Sequence, residues 1–339
     1  MNGSNGSQST VIIAEIGVNH NGSLDMAKQL VRACAEAGAD YAKFQTFSAK
    51  ALASKEAPVA DYQAVGFAGR NQQDLLGELE LSESDFGQLV QECDAAHIGF
   101  LTTAHDLPSA RFVFELGLDF IKVPSGDVTN YPFLRLAGSQ GKRILLSTGA
   151  STANEVGQAL GVLESTGLPR EKITVMQCTT EYPAPSDEAN LQAMLTMGSD
   201  FGVAIGFSDH TLGLEATIAA VAMGATVIEK HITLDRAMRG PDHAASLEPH
   251  DFGDLVAGVR HIEVLKGKSE KFVTSAESKN RSVIRKSIVA AKPILEGEVF
   301  SEANLTVMRP GSGLSPMEWP DILGKPASRN FRVGEMIEL

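Results

Sequence analysis

The chain repeats one alternation eight times. A short apolar run rich in β-branched residues is followed by a stretch with helical apolar spacing, and then the pattern restarts. The strand-like runs are residues 11–18, 41–47, 99–104, 120–125, 143–148, 173–179, 202–207 and 226–232. Met26, Leu30, Val31 and Cys34 share one helical face after the first run, and Gly38 stops that helix. Further helices are read at 85–96, 109–116, from Tyr131-Pro132, 153–164, 191–196, from Leu214 to Gly224, and 252–265. Parallel strands need crossovers of this length, and eight such units in roughly 255 residues match a closed (β/α)8 barrel. The predicted fold class is α/β, an eight-stranded TIM barrel. A doubly wound open sheet is the competing architecture, but no Gly-x-Gly-x-x-Gly turn follows the first run.

The pattern breaks after residue 267. Residues 268–282 are polar and read as a linker. Residues 283–339 carry the short β-like runs Ser287–Ala291, Val299-Phe300 and Leu305–Met308, punctuated by Pro293, Gly297, Pro310, Gly311 and Gly313. The expected organisation is a flexible tail over 1–10, a barrel over 11–267, the linker, and a β-rich domain over 283–339. A unit that small is marginal alone and needs a docking surface. The tail is rich in Gly, Ser, Asn and Gln and lacks the apolar centre of a signal peptide. No apolar run approaches the ~20 residues needed to span a bilayer. A net charge of −13 without a basic run argues against nucleic acid or an anionic membrane as partner. The three cysteines, Cys34, Cys93 and Cys178, fit no zinc spacing and read as reduced thiols of a cytoplasmic protein.

In such a barrel the reactive side chains sit at the C-terminal ends of the strands. All eight ends are polar. In order they offer Glu15, Asn19 and His20; Lys43 and Gln45; Thr103; Lys122, Ser125 and Asp127; Ser147 and Thr148; Thr179, Thr180 and Tyr182; Ser208, Asp209 and His210; and Glu229, Lys230 and His231. One lysine inside an apolar strand is most often a snorkelling side chain. Lys43, Lys122 and Lys230 on three strands, accompanied by Ser125, Ser147 and Ser208, point instead to a site for phosphate or carboxylate. His210 and His231 close consecutive strands. Two imidazoles without a thiolate leave coordination positions for water and substrate oxygens, as an exchangeable catalytic divalent ion requires. Glu15 can orient a water or hydroxyl, act as acid or base, or pair with a lysine.

At these residues the chain resembles the sialic acid synthase family. The phrases that carry the resemblance run in order through nearly the whole chain: IAEIGVNHNGS (12–23), KFQTF (43–47), KVPSGDVTNYP (122–132), LLSTG (145–149), CTTEYPAP (178–185), GFSDHTLG (206–213), EKHITLDR (229–236), RGPDHAASLEP (239–249), RKSIVA (285–290) and MRPGSGLSPMEW (308–319). The C-terminal domain resembles the antifreeze-like SAF module of those synthases. The resemblance implies a transferase that joins phosphoenolpyruvate to the open-chain form of an N-acyl-mannosamine-type sugar, with water entering, C–O cleavage and release of inorganic phosphate. It implies that His210 and His231 hold a divalent ion, typically Mn2+ with Mg2+ or Co2+ as alternatives, which polarises the sugar aldehyde. Lys43, Thr103, Lys122, Ser125, Ser147 and Ser208 would bind the phosphate and carboxylate of phosphoenolpyruvate. Glu15, Gln45, Asp127, Tyr182 and Asp242 would face the amino sugar. Arg309 would reach the active site of the other subunit in a domain-swapped homodimer and contact the N-acyl group.

Two substrate-facing positions depart from N-acetylneuraminate synthases, where Thr180 stands for Asn and Asp127 for Glu. KEAPVADYQ (55–63), CTTEYPAP and KSIVAAK are closer to the legionaminate branch, whose sugar is a 2,4-diacetamido-6-deoxy hexose. The first of these phrases is read as a sugar lid. The competing functions are another phosphoenolpyruvate–aldose condensing barrel acting on a sugar phosphate, and a non-catalytic carbohydrate- or ice-binding protein.

Overall fold

A computed structural model describes residues 9–54 and 71–339. Eight parallel strands close into a barrel in chain order: β1 (Val11–Gly17), β2 (Tyr41–Thr46), β3 (Gly99–Ala104), β4 (Phe120–Val123), β5 (Arg143–Ser147), β6 (Ile173–Cys178), β7 (Ala204–Asp209) and β8 (Val227–His231). The open-sheet alternative is thereby excluded. Closure sets Glu15 of β1 opposite Lys43 of β2 on one side and opposite His231 of β8 on the other.

The period-two alternation of strand side chains explains what fills the barrel. Ile13, Leu101, Phe120, Leu145, Met176 and Val227 form an apolar floor inside it. Two residues further along the same strands stand Glu15, Thr103, Lys122, Ser147, Cys178 and Glu229, all lining a cavity above that floor. The outward parity packs on the helices. Ile12, Ala14, Ile16 and Phe44 meet Ala27, Leu30, Val31 and Cys34 of the helix Leu24–Glu36, which starts where the Ser23 hydroxyl accepts from the Met26 N–H. On the other side Ile121, Val123, Ile144 and Leu146 pack on Val156, Ala159, Leu160 and Leu163 of the helix Ala153–Glu164. Each fully buried side chain of this size contributes about 1.5–3 kcal/mol.

The chain divides into two units, residues 1–267 and 268–339. In the second, β9 (Ser287–Ala290) pairs antiparallel with β10 (Leu305–Met308). Its own core gathers Ile288, Ile294, Phe300, Leu305, Ile322, Phe331 and Ile337. Two expectations need correction. The polar stretch 268–282 is not a bare linker, because a helix spans Ser275–Ile284, with Thr274 and Glu277 capping each other's backbone. The end of the expected tail is tied down: Thr10 is buried, and its N–H donates to Glu263 at 2.5 Å. Residues 1–8 and the phrase 55–63 read as a lid lie outside the described residues. Among the described residues no helix is long and apolar enough to cross a membrane.

Candidate active site

The cavity above the barrel floor measures about 390 Å³. Its cationic side is built from β2, β4 and β8. Lys43 Nζ lies 2.7 Å from Glu15 Oε2 and 3.6 Å from Glu229 Oε2, and it donates to Thr103 Oγ1 at 2.7 Å. Lys122 Nζ donates to Glu229 Oε1 at 3.1 Å, and the Ser208 hydroxyl donates to the same oxygen at 2.9 Å. Both lysines and both carboxylates are at most 5 % exposed. Charges so far from water persist only when paired, and removing one partner leaves the other uncompensated.

The two carboxyls have different fates. Burial opposes ionisation of Glu229, but Lys122 and Lys43 outweigh it and hold the carboxyl well below the usual range, so Glu229 is an anion between two cations. Burial pushes Glu15 up to about 7, against the pull of Lys43 and with the added repulsion of Glu229. Glu15 can therefore carry or release a proton near neutrality, as an acid–base group needs. Gln45 donates to its Oε1 at 3.2 Å. Gly17, at φ +56°, stands two residues after Glu15. A Cβ there would stand 3.3 Å from Gln45, Glu15 and His231 alike, so a side chain at this position would add left-handed strain and crowd these three groups.

The other side of the cavity is aromatic and basic. The rings of His210 and His231 have centroids 5.5 Å apart, and Tyr182 packs on both, at 4.1 and 5.6 Å. His210 Nδ1 lies 2.6 Å from the Thr179 carbonyl, which can only accept. That contact fixes the proton on Nδ1 and leaves the Nε2 lone pair for a ligand. His231 Nδ1 is buried without a partner. Burial and then His210 hold the His231 pKa well below the imidazole range, so it is neutral, the ligating form. Two imidazoles at this separation, one with its tautomer fixed and one with an unpartnered nitrogen, fit a shared divalent ion with open positions.

Of the sixteen residues given a site role from the sequence, Glu15, Lys43, Gln45, Thr103, Lys122, Ser125, Asp127, Ser147, Thr180, Tyr182, Ser208, His210 and His231 line this one cavity. Asp242 does not line it. It is buried on the loop after β8, where burial raises its pKa to about 6 against the pull of His210. Arg309 is exposed in the second unit, its Nε donating to the Ile284 carbonyl at 3.0 Å. The reading of Lys230 as a third anion-site lysine is overturned. It has the outward parity of β8, and its ammonium bonds Asp209 at 2.7 Å and the Thr211 carbonyl at 2.8 Å, away from the cavity. Sequence reasoning assigned no role to Glu229 or Cys178, and it missed His105. The signal for Glu229 was its place two residues before His231. Cys178 had the same parity on β6, its Sγ now 3.8 Å from His210 Nδ1.

The chain matches the NeuB family over residues 30–271 and the SAF domain over residues 285–338. It is 45 % identical to the N,N'-diacetyllegionaminic acid synthase of Campylobacter jejuni, over 97 % of this chain and 98 % of that protein. It is 38 % identical to the synthase of the same description from Legionella pneumophila, over 97 % and 93 %. Among solved structures, an N-acetylneuraminic acid synthetase from Leptospira borgpetersenii is 30 % identical and superposes with a TM-score of 0.71, covering 80 % of this chain and 90 % of that one.

Proposed function

Because the chain belongs to the NeuB family and is a synthase of the sialic-acid type, we propose that it joins phosphoenolpyruvate to the open-chain form of 2,4-diacetamido-2,4,6-trideoxymannose, giving N,N'-diacetyllegionaminate and inorganic phosphate. The observation that carries the chemistry is the meeting of Lys43 and Lys122 with the paired imidazoles of His210 and His231 in one cavity. Two buried ammonium groups with the Thr103, Ser147 and Ser208 hydroxyls suit the phosphate and carboxylate of an enol phosphate. The Ser147 hydroxyl is buried and unpartnered, so it is free to bond an incoming oxygen. Gln45, Asp127, Thr180 and Tyr182 line the same space and would meet the sugar. The legionaminate sugar is favoured by the phrases at 178–185 and 286–292 and by the two relatives described by that product.

A divalent ion held by His210 and His231, Mn2+ in this reading, would supply Lewis acidity toward the sugar carbonyl. The remaining work falls to the chain's own residues. Lys43 and Lys122 hold the enol phosphate so that its methylene carbon faces the aldehyde carbon, where the new C–C bond forms. Glu15 exchanges the proton that the aldehyde oxygen gains or that the entering water loses at C2. The tetrahedral intermediate then breaks its C–O bond, and the lysines neutralise the departing phosphate. Arg309 completes the site from the other subunit of a swapped homodimer, on the N-acyl group. We place the protein in the cytoplasm, in keeping with three free, buried cysteines.

The test is phosphate release from phosphoenolpyruvate with N-acetylmannosamine, its 6-phosphate, and 2,4-diacetamido-2,4,6-trideoxymannose, compared by kcat/KM. The diacetamido sugar is expected to lead, and His231→Ala to abolish metal-dependent turnover while the barrel stays folded. No release with any acceptor sinks the reaction, and normal turnover of His231→Ala sinks the metal assignment.

A further inference from the structure

His105 directly follows β3. Its backbone N–H donates to the Thr46 carbonyl at the end of β2 (3.1 Å). It stands two residues beyond Thr103, on the inward parity, and it lines the cavity with Lys43, Thr103 and Lys122. One side of its ring meets Phe47 edge-on, with centroids 6.4 Å apart. Phe47 is itself buried among Val18, Leu75 and Leu79, so that side offers no hydrogen-bond partner. The ring's Nε2 is buried and unpartnered. An unpaired buried polar nitrogen is destabilising, and a ligand that accepts its hydrogen bond relieves that penalty. The ring is neutral, since burial, then Lys43 and Lys122, bring its pKa down to about 4 against the weaker pull of Asp106. The ammonium groups that repel a proton from this ring are the same two read as the anion holders.

We propose that His105 donates its Nε2–H to an anionic oxygen of phosphoenolpyruvate, as a third nitrogen contact beside Lys43 and Lys122. A neutral imidazole has one donor and one acceptor, and an anion takes only the donor, so binding selects the Nε2–H tautomer. Such a contact adds direction without a third positive charge next to two that already repel each other. It involves no covalent step. It rests on the proposed reaction, and it extends it by one recognition residue on the enol phosphate rather than on the sugar.

The experiment is steady-state kinetics of the full chain with both substrates varied, on wild type, His105→Phe and His105→Gln. Phenylalanine keeps a flat ring against Phe47 and removes the donor, whereas glutamine restores an amide N–H near the Nε2 position. His105→Phe is expected to raise the phosphoenolpyruvate KM roughly 10- to 100-fold, the range for a hydrogen bond to a charged group. The sugar KM and kcat should stay within about twofold, as for a contact made equally in ground and transition states. His105→Gln should recover most of the loss. An unchanged phosphoenolpyruvate KM in His105→Phe, or a rise confined to the sugar KM, overturns the contact. Should the variants fold poorly, 15N-histidine spectra of wild type saturated with phosphoenolpyruvate alone decide the matter, because the His105 Nε2 signal of the complex must stand at the protonated, N–H position, and a signal at the unprotonated position refutes the proposal. A wild-type chain that neither binds nor consumes phosphoenolpyruvate defeats the parent reaction as well, which separates the two failures.

Discussion

Lys230 is buried on the outward face of β8, and Asp209, which also accepts from Thr211 and Thr217, holds its charge in place. Lys230→Met would leave that carboxylate uncompensated, at about 3–5 kcal/mol of stability measured by urea unfolding. The phosphoenolpyruvate KM should be unchanged, and a large rise in KM with stability intact would return Lys230 to the anion site. Buried neutral imidazoles give a second residue-scale effect. His20 is buried, and burial lowers its pKa to about 4 from 6.5. Above pH 6.5 both folded and unfolded chains carry it neutral. Between pH 6.5 and 4 only the unfolded chain takes the proton, so stability falls as pH falls, by about 1.4 kcal/mol per pH unit. His105 adds a similar slope. Urea unfolding at pH 6.5 and 5.0 should show His20→Gln losing about 2 kcal/mol less than wild type over that span, and parallel losses would refute a neutral His20. At this scale the sequence was legible wherever strand parity was unambiguous, as for Glu15, Thr103 and His231. It was ambiguous at 229–230, where two charged neighbours compete for one face, and silent at His105, which lies just past a strand.

The strands themselves were readable because six of the eight carry an apolar floor residue and a site residue two positions apart, with apolar residues on the outward parity. Helices were readable only where they bury a face. Ser275–Ile284 buries none of its residues, so it offers no apolar period, and the Thr274–Glu277 cap was its one local signal. Backbone contacts between elements were not readable at all. Gly22, in the loop after β1, has φ +73°, and a Cβ there would fall 2.2 Å from the Glu78 carbonyl oxygen. The helix Gln72–Leu79 carrying that carbonyl is thus seated directly on the loop. Gly22→Ala must pay the left-handed strain and also push this helix away. The expected loss is at least ~2 kcal/mol in urea unfolding. A loss under about 0.5 kcal/mol would mean that the loop and helix do not touch as described.

At the scale of the molecule, the second unit poses the question of what its own core is for. Nine buried residues and the Arg329 guanidinium 4.3 Å over Phe331 give it an interior independent of the barrel. It presents Arg309 at the surface. Its boundary was legible as a change of period, but no sequence pattern tests the proposal that Arg309 serves the cavity of the other copy. Subunit mixing separates the alternatives. His231→Ala disables a barrel and keeps a normal Arg309, while Arg309→Ala keeps a normal barrel. In a swapped homodimer, a mixed pair places the intact Arg309 of one chain over the intact barrel of the other. Random assortment of equal amounts then restores about a quarter of all sites to wild-type kinetics, including the wild-type sugar KM. If Arg309 serves its own barrel, every site in the mixed pair carries one lesion. Activity would then equal the sum of the two single variants, and the sugar KM would stay at the Arg309→Ala value. Recovery of the wild-type sugar KM on mixing is the expected outcome, and its absence in proven mixed dimers would remove the swap while leaving the barrel chemistry standing.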